Sequence, residues 1–380
     1  MPDPGLSLRE PPRPASKAEP GIRELTEADV PAVVALFERA FPHHRWDSRG
    51  ACEAYFREVF FNHPWRELGL PSLLAEANGS VAGFYGVIPR PMRFRGREIL
   101  AAVGCNAMVD PAAPALMALK LARAQLGGPQ DLTLADGATA RALRIWRGIG
   151  GLAPLAYNLH WTRALRPARH LLWRHGRRTI VRRLLAAGAR PLAAVADASA
   201  ARLGSNRLLS ETSKLIEEPL DPSVMADDFP RFSRDKALQP VYDAHSLRWL
   251  LGQVAVRRGQ GTLRARRVLD GERRPLGWYV YYLQRSAPSE LIQLVARAGA
   301  YERVLERLLA DAWRHGATSV RGRLDPEHAE TLSDRGCWLR WEGPATLVHS
   351  RDPEIIDAIR HGDAFLSRLD GEWWMRFVSS

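Results

Sequence analysis

Apolar and polar positions along this chain alternate between two rhythms, one of period about 3.6 and one of period 2. IRELTEADVPAVVALFERAFP, from Ile22 to Pro42, opens with a short strand, Ile22 to Leu25. Thr26 then stands three residues before Asp29, the capping-box spacing, so a helix is expected to start there. Val30, Val33, Val34, Phe37 and Phe41 follow at helical spacing and give that helix one core face. The segment 43–70 is expected to be helical around Ala51 to Phe61 and to end near Pro64. Ser72 to Ala77 and Val81 to Ile88 flank Asn78-Gly79, a strong hairpin signal, and Pro89 and Pro91 are expected to end the second strand. Ile99 to Val109 predicts a long apolar strand, Ala115 to Leu126 a helix, Asp131 to Asp136 a strand, and Ala138 to Ile149 a helix stopped by Gly150-Gly151. LAYNLHWTRAL then reads as strand.

The second half repeats this order. Thr262 to Leu283 predicts a hairpin turning at Asp270-Gly271, and its Leu276-Gly277-Trp278-Tyr279 parallels Ala82-Gly83-Phe84-Tyr85. Leu291 to Ala296 predicts a strand, Tyr301 to Arg314 a helix, Ser319 to Leu324 a strand and Pro326 to Asp334 a helix before Gly336. Two copies of one α/β unit account for the pattern. The expected division is a disordered leader over 1–20, a first domain over 21–166, a basic helical segment with linker over 167–239 and a second domain over 240–380. EEPLDPSVMADDFPRF is read as part of that linker.

Composition narrows the classes. The 380 residues are 46% hydrophobic, enough for substantial cores, and Gly and Pro follow no fibrous period. Cys52, Cys105 and Cys337 are far apart and match no zinc spacing, so neither a disulfide framework nor a metal is expected. The opening residues lack the apolar core of a signal peptide, and no apolar run is long enough to cross a bilayer, so a cytoplasmic protein is expected, with surface association left open. The formal charge is +12, and all of the 54 cations except Lys17, Lys120, Lys214 and Lys236 are arginines, a bias that fits a GC-rich bacterial genome. From Pro154 through Ala196 there is no acidic residue, while nine arginines lie between Arg163 and Arg190. Within that run Ile180, Val181, Leu184 and Leu185 form an apolar stripe. The segment 163–190 is therefore a candidate basic amphipathic helix for an anionic partner, or a helix packed between the halves.

At Ile22 to Pro42, the Asn-Gly hairpin with Gly-Phe-Tyr-Gly, and the strand, Val109-Asp110-Pro111 and helix from Ala107 to Leu126, the first half resembles the GCN5-related N-acetyltransferase superfamily. The resemblance covers about 21–166 and, more weakly, 240–350, so the whole looks like a tandem pair. It implies an α/β (α+β) fold in which each domain is a mixed, mostly antiparallel sheet flanked by helices. In that superfamily two central strands splay, the pantetheine of acyl-CoA adds along the exposed edge of the fourth strand, and an amine attacks the thioester. The resemblance places the pantetheine along Asn106, Ala107, Met108 and Val109, with Thr139 and Trp146 on the far side. Unpaired backbone groups would bind the amide-rich arm and polarise the thioester.

This sequence departs from the family where phosphate normally binds. The glycine-rich loop is replaced by the run PALMAL, with Pro114, Met117 and Leu119 at the distinctive positions; Leu116, Met117 and Leu119 are expected in the core. Trp146 stands where the family often has a thiolate-protonating Tyr, and indole donates a hydrogen bond without serving as an acid. Three accounts fit these departures: the copy binds acyl-CoA through backbone contacts, uses another acyl donor, or has lost catalysis. Asp136 is a candidate to accept the amine proton, or else caps the next helix; Tyr157 and His160 have acid or base chemistry, but strand alternation would point them to opposite faces. His43, His44, Arg45 and Trp46 lie where the family contacts its acceptor, and Cys105 reads as inert core. The implied activity is an acyl-CoA-dependent N-acetyltransferase acting on a small-molecule or glycan acceptor by direct transfer, with acetyl-CoA or another acyl-CoA as co-substrate. Alternatives are a FemAB-like transferase using aminoacyl-tRNA, or an inactive binding protein of polysaccharide biosynthesis whose Trp373 and Trp374 stack on sugars.

Overall fold

The structure is a computed structural model and describes residues 21–44, 46–114, 116–176, 188–189, 191–197, 214–257 and 259–375. Two seven-stranded sheets carry the chain. The first runs β1 (Ile22–Glu24), β2 (Leu73–Ala77), β3 (Ser80–Phe94), β4 (Arg97–Val109), β5 (Leu132–Ala138) and β14 (Ala345–His349), with β8 (Leu238–Pro240) on the far end of β3. The second runs β13 (Trp338–Trp341), β6 (Leu159–Ala164), β12 (Ser319–Arg323), β11 (Pro288–Ala296), β10 (Pro275–Leu283), β9 (Thr262–Leu269) and β7 (Ile216–Pro219). Neighbouring strands are antiparallel except for β4 with β5 and β11 with β12. Each sheet is thus mixed, mostly antiparallel and flanked by helices, as the sequence leads one to expect.

The repeat is visible element by element. In the first half, β1 leads to α1 (Val30–Ala40) and α2 (Arg49–Phe61), then β2, β3, β4, α3 (Met117–Leu126), β5 and α4 (Ala140–Arg147). In the second, β7 leads to helices Pro222–Phe232 and Ala244–Ala255, then β9, β10, β11, helix Tyr301–Arg314, β12 and helix Ala329–Asp334. The stretch expected to be linker is therefore the start of the second unit. Its Asp221-Pro222 pair is an N-cap followed by N1 proline, the Asp221 carboxylate accepting from Ser223 N–H at 2.8 Å, and Met225 and Phe229 are buried. Composition misled here because the Asp and Pro that suggest a loop serve as the cap of a helix.

A second difference concerns Pro89 and Pro91, which lie inside β3 rather than ending it. The Pro91 carbonyl accepts from Val241 N–H at 3.0 Å, and Val87 N–H donates to Ser72 Oγ at 2.9 Å, both away from β4. Positions 87, 89 and 91 share that parity, so the nitrogens that proline cannot use as donors face the side opposite β4. No ladder bond with β4 is lost.

The two halves exchange strands. β6 follows α4 in the chain but inserts between β12 and β13, and β14 crosses back to pair with β5. Trp161 of β6 is fully buried, and a Cβ on Gly322 of the neighbouring strand would lie 3.0 Å from its indole, so the glycine makes room for it. One apolar cluster joins Phe37, Phe56 and Phe84 of the first half to Leu250, Trp278 and Trp374 of the second. The apolar stripe from Ile180 to Leu185 lies outside the described residues; α6 (Pro167–Gly176) precedes it. Cys52, Cys105 and Cys337 are free and buried, and among the described residues no helix is long and apolar enough to cross a membrane.

His63, which is buried, and His160, which is half-buried, make stability depend on pH. His63 Nδ1 accepts from Trp65 N–H at 3.2 Å, and burial, then Arg90 and Arg66, pull its pKa down to about 4. Burial, then Arg368, Arg323 and Arg321, pull His160 down to about 3. Both pKa values are depressed in the folded chain, so the unfolded chain takes up protons that the folded one refuses. The stabilisation is complete above the ordinary value of 6.5 and is lost as pH falls below it. Denaturant titrations at pH 7 and 5 should show a loss of about 1.4 kcal/mol per pH unit for each imidazole below that value. Equal stability at the two values would contradict this placement.

Candidate functional site

The first sheet opens where β4 and β5 part. Their parallel ladder covers only Ala101–Val103 with Leu132–Leu134, and beyond it the strands diverge. β4 bulges at the same level: Phe84 pairs with Met108 and Gly86 with Cys105, leaving two β4 residues opposite Tyr85, with Asn106 at φ 50°. Past the bulge Asp110 N–H donates to Ala82 O on β3. Strand alternation therefore turns the amides of Val109 and Ala107 toward the open edge. Arg39 Nε, 2.6 Å from Asp110 Oδ2, ties the end of α1 to the end of β4.

The resulting cleft encloses about 510 Å³. Asn106 to Val109 form one side, and Ala135, Gly137, Ala138 and Thr139 form the other. Ala122 of α3 and Arg141 and Trp146 of α4 line one wall, and Phe41, His43 and His44, which follow α1, line the opposite end. Every residue that the resemblance assigned to the cofactor (Asn106, Ala107, Met108, Val109, Thr139 and Trp146) lies on this cleft. Thr139 also caps α4, its Oγ1 accepting from Ala142 N–H at 3.3 Å. In the altered phosphate loop, Leu116 is exposed rather than core; α3 buries Leu121, Ala122, Gln125 and Leu126 instead.

Two residues in the cleft were not singled out from sequence. Tyr85 sits over Gly104, where a Cβ would come within 2.7 Å of the hydroxyl, and both Tyr85 and Trp146 line the cleft. Burial, reinforced by the charge of Glu372, holds the phenol pKa well above the usual range. Glu372, from the far end of the chain, accepts from Gly137 N–H at 2.8 Å and is the one carboxylate among the described residues lining the cleft. Cys105 is buried at the base, and desolvation, followed by Glu372, raises its thiol well above the ordinary value. His44, edge-on to Phe37 with centroids 5.5 Å apart, has its pKa lowered by burial.

Asp136 and Tyr157, the two residues considered for catalysis, point elsewhere. Asp136 alternates with cleft-lining Ala135 and Gly137 and so faces the other way, with Oδ2 3.2 Å from Arg323 Nη1. A Cβ on Gly371 would lie 2.3 Å from this carboxylate, so Gly371 lets the C-terminal segment pass over it and deliver Glu372 next door. Asp136 does not cap α4 either, since Thr139 does. Tyr157 belongs to a short helix, α5 (Leu155–Asn158), so strand alternation begins only at Leu159. Its hydroxyl donates to Ala364 O at 2.6 Å. His160 is half-buried, feels the charges of Arg368, Arg323 and Arg321, and does not line the cleft.

The equivalent parting in the second sheet is filled. β11 and β12 pair only over Pro288–Glu290 with Ser319–Arg321, and the space beyond is taken by residues 363–368. Arg368 N–H donates to Ile292 O at 3.2 Å, Arg323 Nη2 to Leu366 O at 2.9 Å and Gln293 Nε2 to Ser367 Oγ at 3.0 Å. Tyr157 therefore pins this plug. About 50 Å³ remains there.

No family model and no curated protein matches this chain. Solved structures do. A probable N-acyltransferase from Enterococcus faecalis superposes with a TM-score of 0.56 at 9% identity, over 87% of this chain and 72% of that one. A GCN5-related N-acetyltransferase from Anabaena variabilis gives 0.53 at 12% identity, over 87% and 73%. Another, from Kribbella flavida, gives 0.50 at 15% identity, over 87% and 71%. The fold is that of the GCN5-related N-acetyltransferase superfamily.

Proposed function

We propose that this chain is an acyl-CoA-dependent acyltransferase with one working cleft, in the first sheet, that passes the acyl group directly to a primary amine of a small-molecule or glycan acceptor. The carrying observation is the splayed edge of β4, with the Ala107 and Val109 amides turned outward opposite a fixed carboxylate, Glu372. Pantetheine lies along that edge and Arg141, exposed at the cleft, meets the phosphates. The acceptor enters by His43 and His44. Its amine nitrogen attacks the thioester carbonyl, the new C–N bond forms and the C–S bond breaks. Glu372 takes the amine proton, and the departing thiolate accepts a hydrogen bond from Tyr85. The raised thiol of Cys105 leaves no ready thiolate for an acyl-enzyme, which favours direct transfer.

Acetyl-CoA binding by calorimetry tests this reading. Ala107→Pro removes an edge donor and should weaken affinity by about 10- to 100-fold, the equivalent of about 1–3 kcal/mol. Native affinity in that variant, or no binding by the native chain at millimolar acetyl-CoA, would refute it.

A further inference from the structure

The outermost strand of the second sheet is uncovered on both faces. In β13, Trp338, Leu339 and Trp341 are 48%, 37% and 45% exposed, and Arg340 is exposed between them. Alternation puts Trp338 and Arg340 on one face and Leu339 and Trp341 on the other. Among the described residues the strand pairs with β6 alone and forms the edge of its sheet. The ring of His170 on α6 lies 5.9 Å from that of Trp338, and α6 adds an exposed Leu171 and an exposed Arg174 beside the strand. α6 lies within the stretch from Pro154 through Ala196 that has no acidic residue and carries nine arginines from Arg163 to Arg190. Of the cations here, Arg169 pairs with Asp197 at 3.6 Å and Arg340 with Glu342 at 3.3 Å.

We propose that this edge, β13 with α6, seats the protein on an anionic lipid surface. Two observations select that partner. A sugar or a nucleobase stacks on one face of an aromatic platform, whereas here apolar side chains project from both faces of one ribbon, with leucines that stacking would not need. A bilayer interface takes up both: indoles rest at headgroup depth, leucines reach the acyl boundary and arginines meet lipid phosphates. Charge is the second. A further copy of this chain would set the exposed Arg174 and the nine arginines of 163–190 against a surface of the same sign, while anionic headgroups complement them.

Co-sedimentation of the full chain with phosphatidylcholine vesicles, and with vesicles containing phosphatidylglycerol as well, tests the proposal. Binding to the anionic vesicles alone, reversed by salt, is expected. The double variant Trp338→Ser, Trp341→Ser should reduce that partition by about tenfold, with an unchanged melting temperature and unchanged acetyl-CoA binding, because both indoles are exposed and lie outside the first sheet. Absence of the native chain from the anionic vesicle pellet, or equal partition of the double variant, would overturn it. So would a dimer or a tRNA complex that the same two substitutions abolish while vesicle binding persists.

Discussion

Glu372→Gln should lower acyl transfer by about 10²- to 10⁴-fold, the usual contribution of a positioned general base, while leaving acetyl-CoA affinity as it is. The amide keeps an oxygen for Gly137 N–H, now 2.8 Å from the carboxylate, so the C-terminal segment stays in place and only the proton acceptor is lost. Free-thiol release from acetyl-CoA in the presence of a panel of primary amines reads the rate, and calorimetry reads the binding. Such a split separates a base from a mere prop: collapse of the segment would lower both. Native turnover in Glu372→Gln would remove Glu372 from the mechanism, and the histidines at the acceptor end would then be the groups to vary.

The first half of the chain, 21–166, should not fold by itself. Alone, β5 loses β14, β6 loses both of its neighbours, and Trp161, now fully buried, is uncovered. Buried Asn158 loses its paired hydrogen bonds with the Thr346 backbone, at 2.8 and 3.0 Å. Stripping one large buried aromatic costs about 3–5 kcal/mol, and a domain has only about 5–15 kcal/mol in total, so these losses together exceed what the fragment has. Expressed singly it should show no cooperative unfolding transition; co-expressed with 167–380 it should recover one. A fragment that melts cooperatively near the intact chain's midpoint would show the strand exchange to be dispensable.

These outcomes turn on features that local pattern reveals unevenly. The hairpin at Asn78-Gly79, the helix at Tyr301–Arg314 and the matched order of the two halves are legible because period and turn chemistry are properties of short windows. The strand edge from Asn106 to Val109, proposed above for pantetheine, is legible for the same reason, since one apolar strand ending in Val-Asp-Pro carries it. Partnership between distant segments is not. An apolar strand such as β6 has no local mark saying which sheet receives it, so the exchange with β14 emerges only in three dimensions. Glu372 is hidden likewise: beside Trp373 and Trp374 it reads as the polar member of an aromatic tail. What places it is Gly371, whose missing side chain lets the tail cross the Asp136 carboxylate. Tyr85 had a weak signal, its position in Gly-Phe-Tyr-Gly and the parallel with Tyr279, and its place on the cleft emerges only in three dimensions. Tyr157 read as strand because Pro154, which precedes α5 as its N-cap, leaves no periodic trace in a four-residue helix.

One working cleft is the central claim, since the second parting is sealed by residues 363–368 and the first is open. Native mass spectrometry of the full chain titrated with acetyl-CoA measures it directly. The proposed function predicts one acetyl-CoA per chain at saturation, lost in Ala107→Pro; two per chain, or none, would contradict it.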